Sequence, residues 1–327
     1  MKKKLSILIY VNSNVNFLKK NLGGIETLNL ELYKFFYLQK FEVCLTNKLN
    51  FFHLTKKWDY LISSNDAKIF NNIDSRYKIL WLHNKLQIEK AFRKKQILPI
   101  IKNKILAVFN SSYLLKNTSS LFFFKKKIII PNFLSREFID VKINYIRKPY
   151  FVWSVQRTNG LSSVINIWIN QINKNNKSLK LFIFGVNLSE FKKLRFKDLK
   201  KYNIFFIGRV SKSRLINYYK KSMGMICLGF DETFCLNAIE AFACGLPIIT
   251  FGYTALSELI NTRNSIKINN FDELSNSINF IYDFNKTRRK KFINSCVKFS
   301  QKFTINRVGN IWLKTLKLNS KYKDILE

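Results

Sequence analysis

Short, unbroken apolar runs mark the first third of the chain: Leu5–Val11, Tyr60–Ile62, Ile79–Leu82 and Ile105–Phe109. Between the first two, Ile25–Phe36 carries apolar residues at helical spacing. Runs without alternation suit strands buried on both faces, as in a parallel sheet covered by helices. The rhythm restarts near Tyr150. It predicts strands at Tyr150–Ser154, Leu179–Phe184, Ile204–Ile207, Gly224–Leu228 and Pro247–Thr250. The intervening patterns predict helices at Leu161–Ile172, around Leu188–Lys200, at Ser211–Lys221 and at Leu236–Ala243, and a helical tail from about Phe271. Two βαβ series imply an α/β protein of two doubly wound, Rossmann-like domains, which a length of 327 residues accommodates. We place them at residues 1–140 and 150–327, with the boundary inside Pro131–Pro149. Ligands of such sheets bind at the carboxyl ends of the strands, so the loops after strands are where chemistry is sought.

Composition changes this picture in one respect. Lys and Arg number 57 against 20 Asp and Glu, a formal charge of +37. That balance favours anionic partners. A nucleotide-biased genome, rich in Lys, Asn, Ile and Phe codons, would produce the same excess, so charge alone decides little. The five cysteines form no C-x-x-C pair and read as free thiols of a reducing compartment. With only His53 and His83 besides, no zinc constellation is available, and no metal or other cofactor is expected.

Met1–Lys4 followed by Leu5–Val11 superficially resembles a signal peptide, but the apolar run is short and ends in Asn12-Ser13-Asn14. A buried first strand is the better reading. No run reaches the roughly 18 apolar residues of a membrane span. The chain is expected in the cytoplasm. Lys85–Lys104 combines Leu86, Ile88, Phe92, Ile97 and Leu98 with Lys90, Arg93, Lys94 and Lys95. It reads either as a half-buried helix or as a basic amphipathic helix resting on an anionic membrane surface from the cytoplasmic side.

The segment Asp231–Pro247 carries the most chemistry. Strand Gly224–Leu228 ends in the turn Gly229-Phe230-Asp231, and a helix is expected to start near Thr233. Opening amides of a helix form an anion site suited to a diphosphate. Glu232 stands at the helix mouth. Glu240 follows eight residues on, a little over two turns and so on the same side. Paired carboxylates can accept hydrogen bonds from vicinal hydroxyls of a sugar or ribose. Gly245-Leu246-Pro247 reads as a glycine cap and the start of the next strand. Either Glu alone is better explained as an ordinary helix residue; the whole segment is not.

The run Glu232 to Pro247 resembles the motif of retaining glycosyltransferases of family 4: two Glu separated by seven residues, then Glu-Ala-x-Ala-Cys-Gly-x-Pro. The resemblance covers residues 5 to about 315, is strongest from Ile204 to Glu258, and is thin in the first half. It implies the GT-B fold, two Rossmann-like domains facing across a cleft. It implies transfer of a sugar from a nucleotide-sugar donor, with retention, to a glycan or lipid-linked glycan of polysaccharide or lipopolysaccharide assembly. By the same resemblance Glu232 touches the donor sugar, Glu240 the ribose, and the amides of Thr233, Phe234 and Cys235 the phosphates or sugar. Gly23-Gly24-Ile25-Glu26 resembles the family's Gly-Gly-x-Glu loop, which faces the donor. His83, at a strand end, matches a His near the transferred sugar. Arg157 and Gly160 loosely match a diphosphate-neutralising loop in which Asn159 stands where relatives have Lys. Arg209 lies in a loop bordering the nucleobase or phosphate. No Asp-x-Asp metal motif follows a strand, so helix amides and Arg157 would stabilise the leaving diphosphate.

Two other classes compete. A GT-B-fold binding protein that has lost transfer is motivated by Asn159. A nucleic-acid-binding protein is motivated by the charge, but the basic runs Lys192–Lys201 and Lys286–Lys291 lack interleaved aromatic platforms, and no nucleic acid is expected.

Overall fold

A computed structural model of the protein describes residues 4–17, 22–154, 158–187 and 198–321. The chain divides into two compact units. The first runs to Arg136 and takes in the chain again from Phe303, and the second is Glu137–Lys302.

The first unit holds a six-stranded sheet of β1 (Ser6–Val11), β2 (Glu42–Thr46), β3 (Trp58–Ser64), β4 (Ser75–Leu82), β5 (Ile105–Phe109) and β6 (Lys126–Ile129). Their order is β2-β1-β3-β4-β5-β6, every neighbouring pair parallel. β5 is buried along its whole length and β1 nearly so, which is why both read as unbroken apolar runs. β2 and β6 lie at the sheet's edges and are part-exposed, with Glu42 and Lys126-Lys127 among their residues. Polar edge strands of this kind give no apolar run, and the sequence pattern passes over them.

The second unit repeats the plan with β7 (Tyr150–Trp153), β8 (Lys180–Phe184), β9 (Ile204–Gly208), β10 (Gly224–Ile226), β11 (Ile248–Thr250) and β12 (Ser265–Lys267). The order is β12-β11-β10-β7-β8-β9, again parallel throughout. The helix expected at Leu161–Ile172 is α-helical over Leu161–Ile167 and continues as a π-helical turn, Trp168–Ile172. Most of the helix expected around Leu188–Lys200 lies outside the described residues.

The single helix expected over Lys85–Lys104 is two short ones, Ile88–Arg93 and Ile97–Lys102. Lys95 between them takes a left-handed conformation (φ 52°), which ends the first helix, and Gln96 turns inward.

The helical tail comprises Glu273–Tyr282 and Lys286–Ser300 in the second unit and Ile305–Lys321, which packs in the first. Val308, Trp312 and Leu316, each four residues apart, bury one face of the last helix. Trp312 meets Trp81 edge-on, ring centroids 5.1 Å apart. Tyr60 Oη donates to the Leu316 carbonyl at 2.6 Å. Gly309 lets the helix approach Phe35 closely; a Cβ there would come within 2.5 Å of the ring. Periodicity reports that such a helix has a buried face, but not which core receives it.

Candidate functional site

The second sheet has a topological switch point. From β7 the chain moves outward through β8 and β9, then returns to lay β10 on the other side of β7. The loops after β7 and β10 begin there, at the place where sheets of this kind ordinarily bind ligands. They are held in register with each other. The Asn237 side-chain amide donates to the Ser154 carbonyl just beyond β7. Gly160 (φ 83°) fits under Phe230 of the β10 loop, whose ring a Cβ would meet at 2.8 Å.

The β10 loop enters the helix Leu236–Ala243, with the bounds that the apolar pattern predicts and three residues later than the start near Thr233 expected from the motif. The cause is Cys235, which caps the helix in a left-handed conformation (φ 66°, ψ 74°). A non-glycine residue there costs roughly 1–2 kcal/mol. The buried Cys235 thiol lies 3.5 Å from the Cys227 sulfur, and that contact, with burial, holds its pKa well above the usual thiol range. The placement of the two carboxylates is corrected accordingly. Glu232 belongs to the loop, and Glu240 lies a little over one turn inside the helix rather than two. The continuous helical face that would have aligned them does not exist.

The loop is anchored by its backbone. The Glu232 carbonyl accepts from Ala255 N at 3.2 Å, and the Gly229 carbonyl from Thr254 Oγ1 at 3.0 Å. Gly229 (φ 62°) sits in left-handed backbone that favours glycine, and a Cβ there would fall 2.0 Å from Leu256 Cδ1 and force that side chain to move. Glu232 and Thr233 are half-buried, while Phe234 is packed inside. Glu240 is half-buried, and desolvation raises its pKa to about 7, opposed by the Lys212 ammonium and reinforced by Glu137. The β10 side of the switch point thus brings a helix start next to a loop carboxylate, with a second carboxyl pushed up towards neutrality by burial. An anion and hydroxyl groups can be met together there.

The first sheet has the same device. β1 continues to β2 on one side, and β3 returns to the other. At the carboxyl ends of β1 and β3 lies a cavity of about 410 Å³, lined by residues including Asn12, Glu26, Ser64 and Asn65. Gly23 caps the helix Gly24–Leu38, and a Cβ on it would come 2.5 Å from Glu26 Oε2. His83, just past β4, is 4% exposed. Its backbone N–H donates to Asn65 Oδ1 at 2.7 Å, its ring Nε2 lies 3.5 Å from Ser64 Oγ, and its ring packs on Trp81. Burial pushes its pKa down to about 3, so the imidazole is neutral at ordinary pH. It can offer a neutral hydrogen bond near pH 7, not an imidazolium.

Residues 147–296 match the family model described as Glycosyl transferases group 1. The second unit carries a Glycosyl transferases group 1 domain. No curated protein matches the chain in sequence. Among solved structures, a glycosyltransferase from Rickettsia africae superposes with TM-score 0.70 at 14% identity, covering 96% of this chain and 98% of that one. Sucrose-phosphate synthase from Thermosynechococcus elongatus gives 0.71 at 13%, with 99% of each chain covered. The Anabaena HepE protein, in complex with UDP and glucose, gives 0.67 at 14%, covering 96% and 99%. These likenesses establish the fold as GT-B.

Within the group 1 domain, sequence reasoning overlooked Arg147. Its guanidinium donates to the carbonyls of Tyr219 (2.9 Å), Cys244 (3.0 Å) and Gly245 (3.1 Å). It therefore ties together the ends of the helices Lys212–Lys221 and Leu236–Ala243, where a cation also meets the helix dipole favourably. Burial lowers its pKa to about 10. Nothing in the linker composition signalled this role. Gly245 (φ 69°) takes the left-handed turn expected of it after the helix. Arg209 is exposed beyond β9, an edge strand two positions from β7, roughly 10 Å away in the sheet. Arg157 lies outside the described residues; Asn159, two residues on, is exposed. Among the described residues no three His, Cys, Asp or Glu side chains gather as a metal-binding group, and no helix is long and apolar enough to cross a membrane.

Proposed function

We propose that the protein is a retaining glycosyltransferase that moves a sugar from a nucleotide-sugar donor to a glycan or lipid-linked glycan of the cell envelope. The observation that carries this reading is the β10 loop and the helix Leu236–Ala243 at the switch point of the group 1 domain. There the opening amides would hold the diphosphate, Glu232 the sugar hydroxyls and Glu240 the ribose. Developing charge on the leaving diphosphate would be met by helix amides and Arg157, without a metal. Attack from the face the diphosphate leaves accounts for retention without a carboxylate nucleophile. That the Anabaena neighbour was solved with UDP and glucose supports a uridine donor first.

The test is a thermal-shift screen with UDP-, GDP- and ADP-glucose. One of them is expected to stabilise the wild type and to leave Glu240→Ala unmoved. Equal stabilisation of both proteins would place the donor elsewhere. Asn159 favours a second reading, a protein that binds donor and does not transfer; donor protection without transfer or hydrolysis would select it.

We also propose that the first unit rests on anionic lipid. Phe92, Leu98 and Ile101 are 74%, 64% and 61% exposed on the two short helices that also carry Lys90, Arg93, Lys94 and Lys95 around them. Flotation with phosphatidylglycerol vesicles should recover the wild type at low salt and lose Phe92→Ser/Leu98→Ser. Absence of wild-type flotation sinks the idea.

A further inference from the structure

The cavity of the first unit has a composition of its own. Two of its lining residues are cations, Lys68 and Lys94, brought from separate places in the fold. Lys68 opens the short 3-10 helix after β3, and Lys94 ends the helix Ile88–Arg93. Both are exposed, and neither belongs to an ion pair among the described residues. Glu26 is the single carboxylate in the lining. Asp66 stands close by in sequence, but its carboxylate is buried and accepts from Asn12 Nδ2 (2.7 Å) and Lys68 N (3.0 Å).

The remaining lining is rich in amides, and one of them is unsatisfied. Gln96 is 4% exposed, and its Nε2 donates to the Asn65 carbonyl at 3.1 Å. Its Oε1 is buried without a hydrogen-bond partner, and Gln96 is among the residues that line the cavity. A buried acceptor left open costs about 1–3 kcal/mol, so it calls for a hydroxyl donor from a ligand. Amides beside a carboxylate meet the hydroxyls of a sugar ring, while two unpaired ammonium groups at the rim meet an anion.

We infer that this cavity takes an anionic sugar, a hydroxylated ring bearing a phosphate or carboxylate, with the anion between Lys68 and Lys94 and a ring hydroxyl on Gln96 Oε1. The inference deepens the proposed transfer reaction and rests on it in one respect, that this ligand is the acceptor. A phosphate on a lipid carrier and a phosphate or uronate on a glycan share the chemistry.

Isothermal titration at low ionic strength, with glucose, glucose 6-phosphate, glucuronate and inorganic phosphate as probes, tests it. One of the two anionic sugars is expected to bind at least tenfold more tightly than glucose and than inorganic phosphate. Lys68→Gln and Lys94→Gln, both changes at exposed side chains, should each weaken that binding by about fivefold to tenfold. Preference for glucose 6-phosphate points to a phosphate-bearing acceptor, and preference for glucuronate to a uronate. Equal binding of glucose, equal binding of bare phosphate, no binding of any probe, or affinity unchanged in the two variants would each overturn the inference. Donor stabilisation of the same samples is read in parallel. If it persists while the anionic sugars fail, this inference alone falls; if it is absent while they bind, the donor reading falls and the cavity assignment stands.

Discussion

Glu232→Gln is expected to lower kcat/KM for sugar transfer by about 100-fold. The substitution preserves shape and removes charge and one acceptor oxygen. The loop holds its course through the Glu232 carbonyl, which takes the Ala255 amide, and through Thr254 Oγ1 on the Gly229 carbonyl. A hydrogen bond to a charged group contributes about 1.5–3 kcal/mol, and the upper part of that range corresponds to a hundredfold rate. The donor chosen by the thermal screen serves as substrate. A fall in kcat with donor affinity retained would mark an interaction strengthened in the transition state. A variant with full turnover would remove Glu232 from the reaction.

The second large effect concerns acid. The first unit should lose up to roughly 5 kcal/mol of stability as the pH falls from about 6.5 towards 3, through His83. In the unfolded chain this imidazole takes up a proton near pH 6.5, whereas in the fold burial delays it to about 3. Between those values the unfolded chain binds more protons, so the stabilisation is complete above 6.5 and drains away as the pH drops. His83→Gln should flatten the dependence of urea unfolding on pH in that window. His53 is also held down by burial, so some slope remains. Identical slopes in wild type and variant would mean that His83 is not the buried neutral group described.

The strands at the centre of each sheet were legible because burial on both faces writes an unbroken apolar run, as in Ile105–Phe109. The edge strands β2, β6 and β12 were not, since one side of each meets solvent or a loop. The segment Glu232–Pro247 was singled out from its residue types, and its glycine stop at Gly245 was placed correctly. Its geometry was misjudged at one point. A cysteine gives no warning of left-handed backbone, and Cys235 shifts the helix start and parts Glu232 from Glu240. Arg147 was invisible for another reason: its partners are carbonyls 72 to 98 residues away, a relation that no local pattern encodes. The cavity of the first unit assembles residues from separate loops and helices; of its charged lining, Glu26 and Lys94 had been singled out beforehand, for other roles, and Lys68 had not.

The return of Ile305–Lys321 to the first unit sets an order of events during synthesis. A ribosome delivers the chain from its amino end, so β1 to β6 emerge well before the helix that covers Trp81 and Tyr60. The second unit, continuous from Glu137 to Lys302, has all its residues in hand first. The half whose strands emerge first is therefore the half that must wait, with an apolar face uncovered for more than 160 residues of elongation. At about 5–20 residues per second that wait lasts roughly 8–30 s, an interval in which a chaperone would find its substrate.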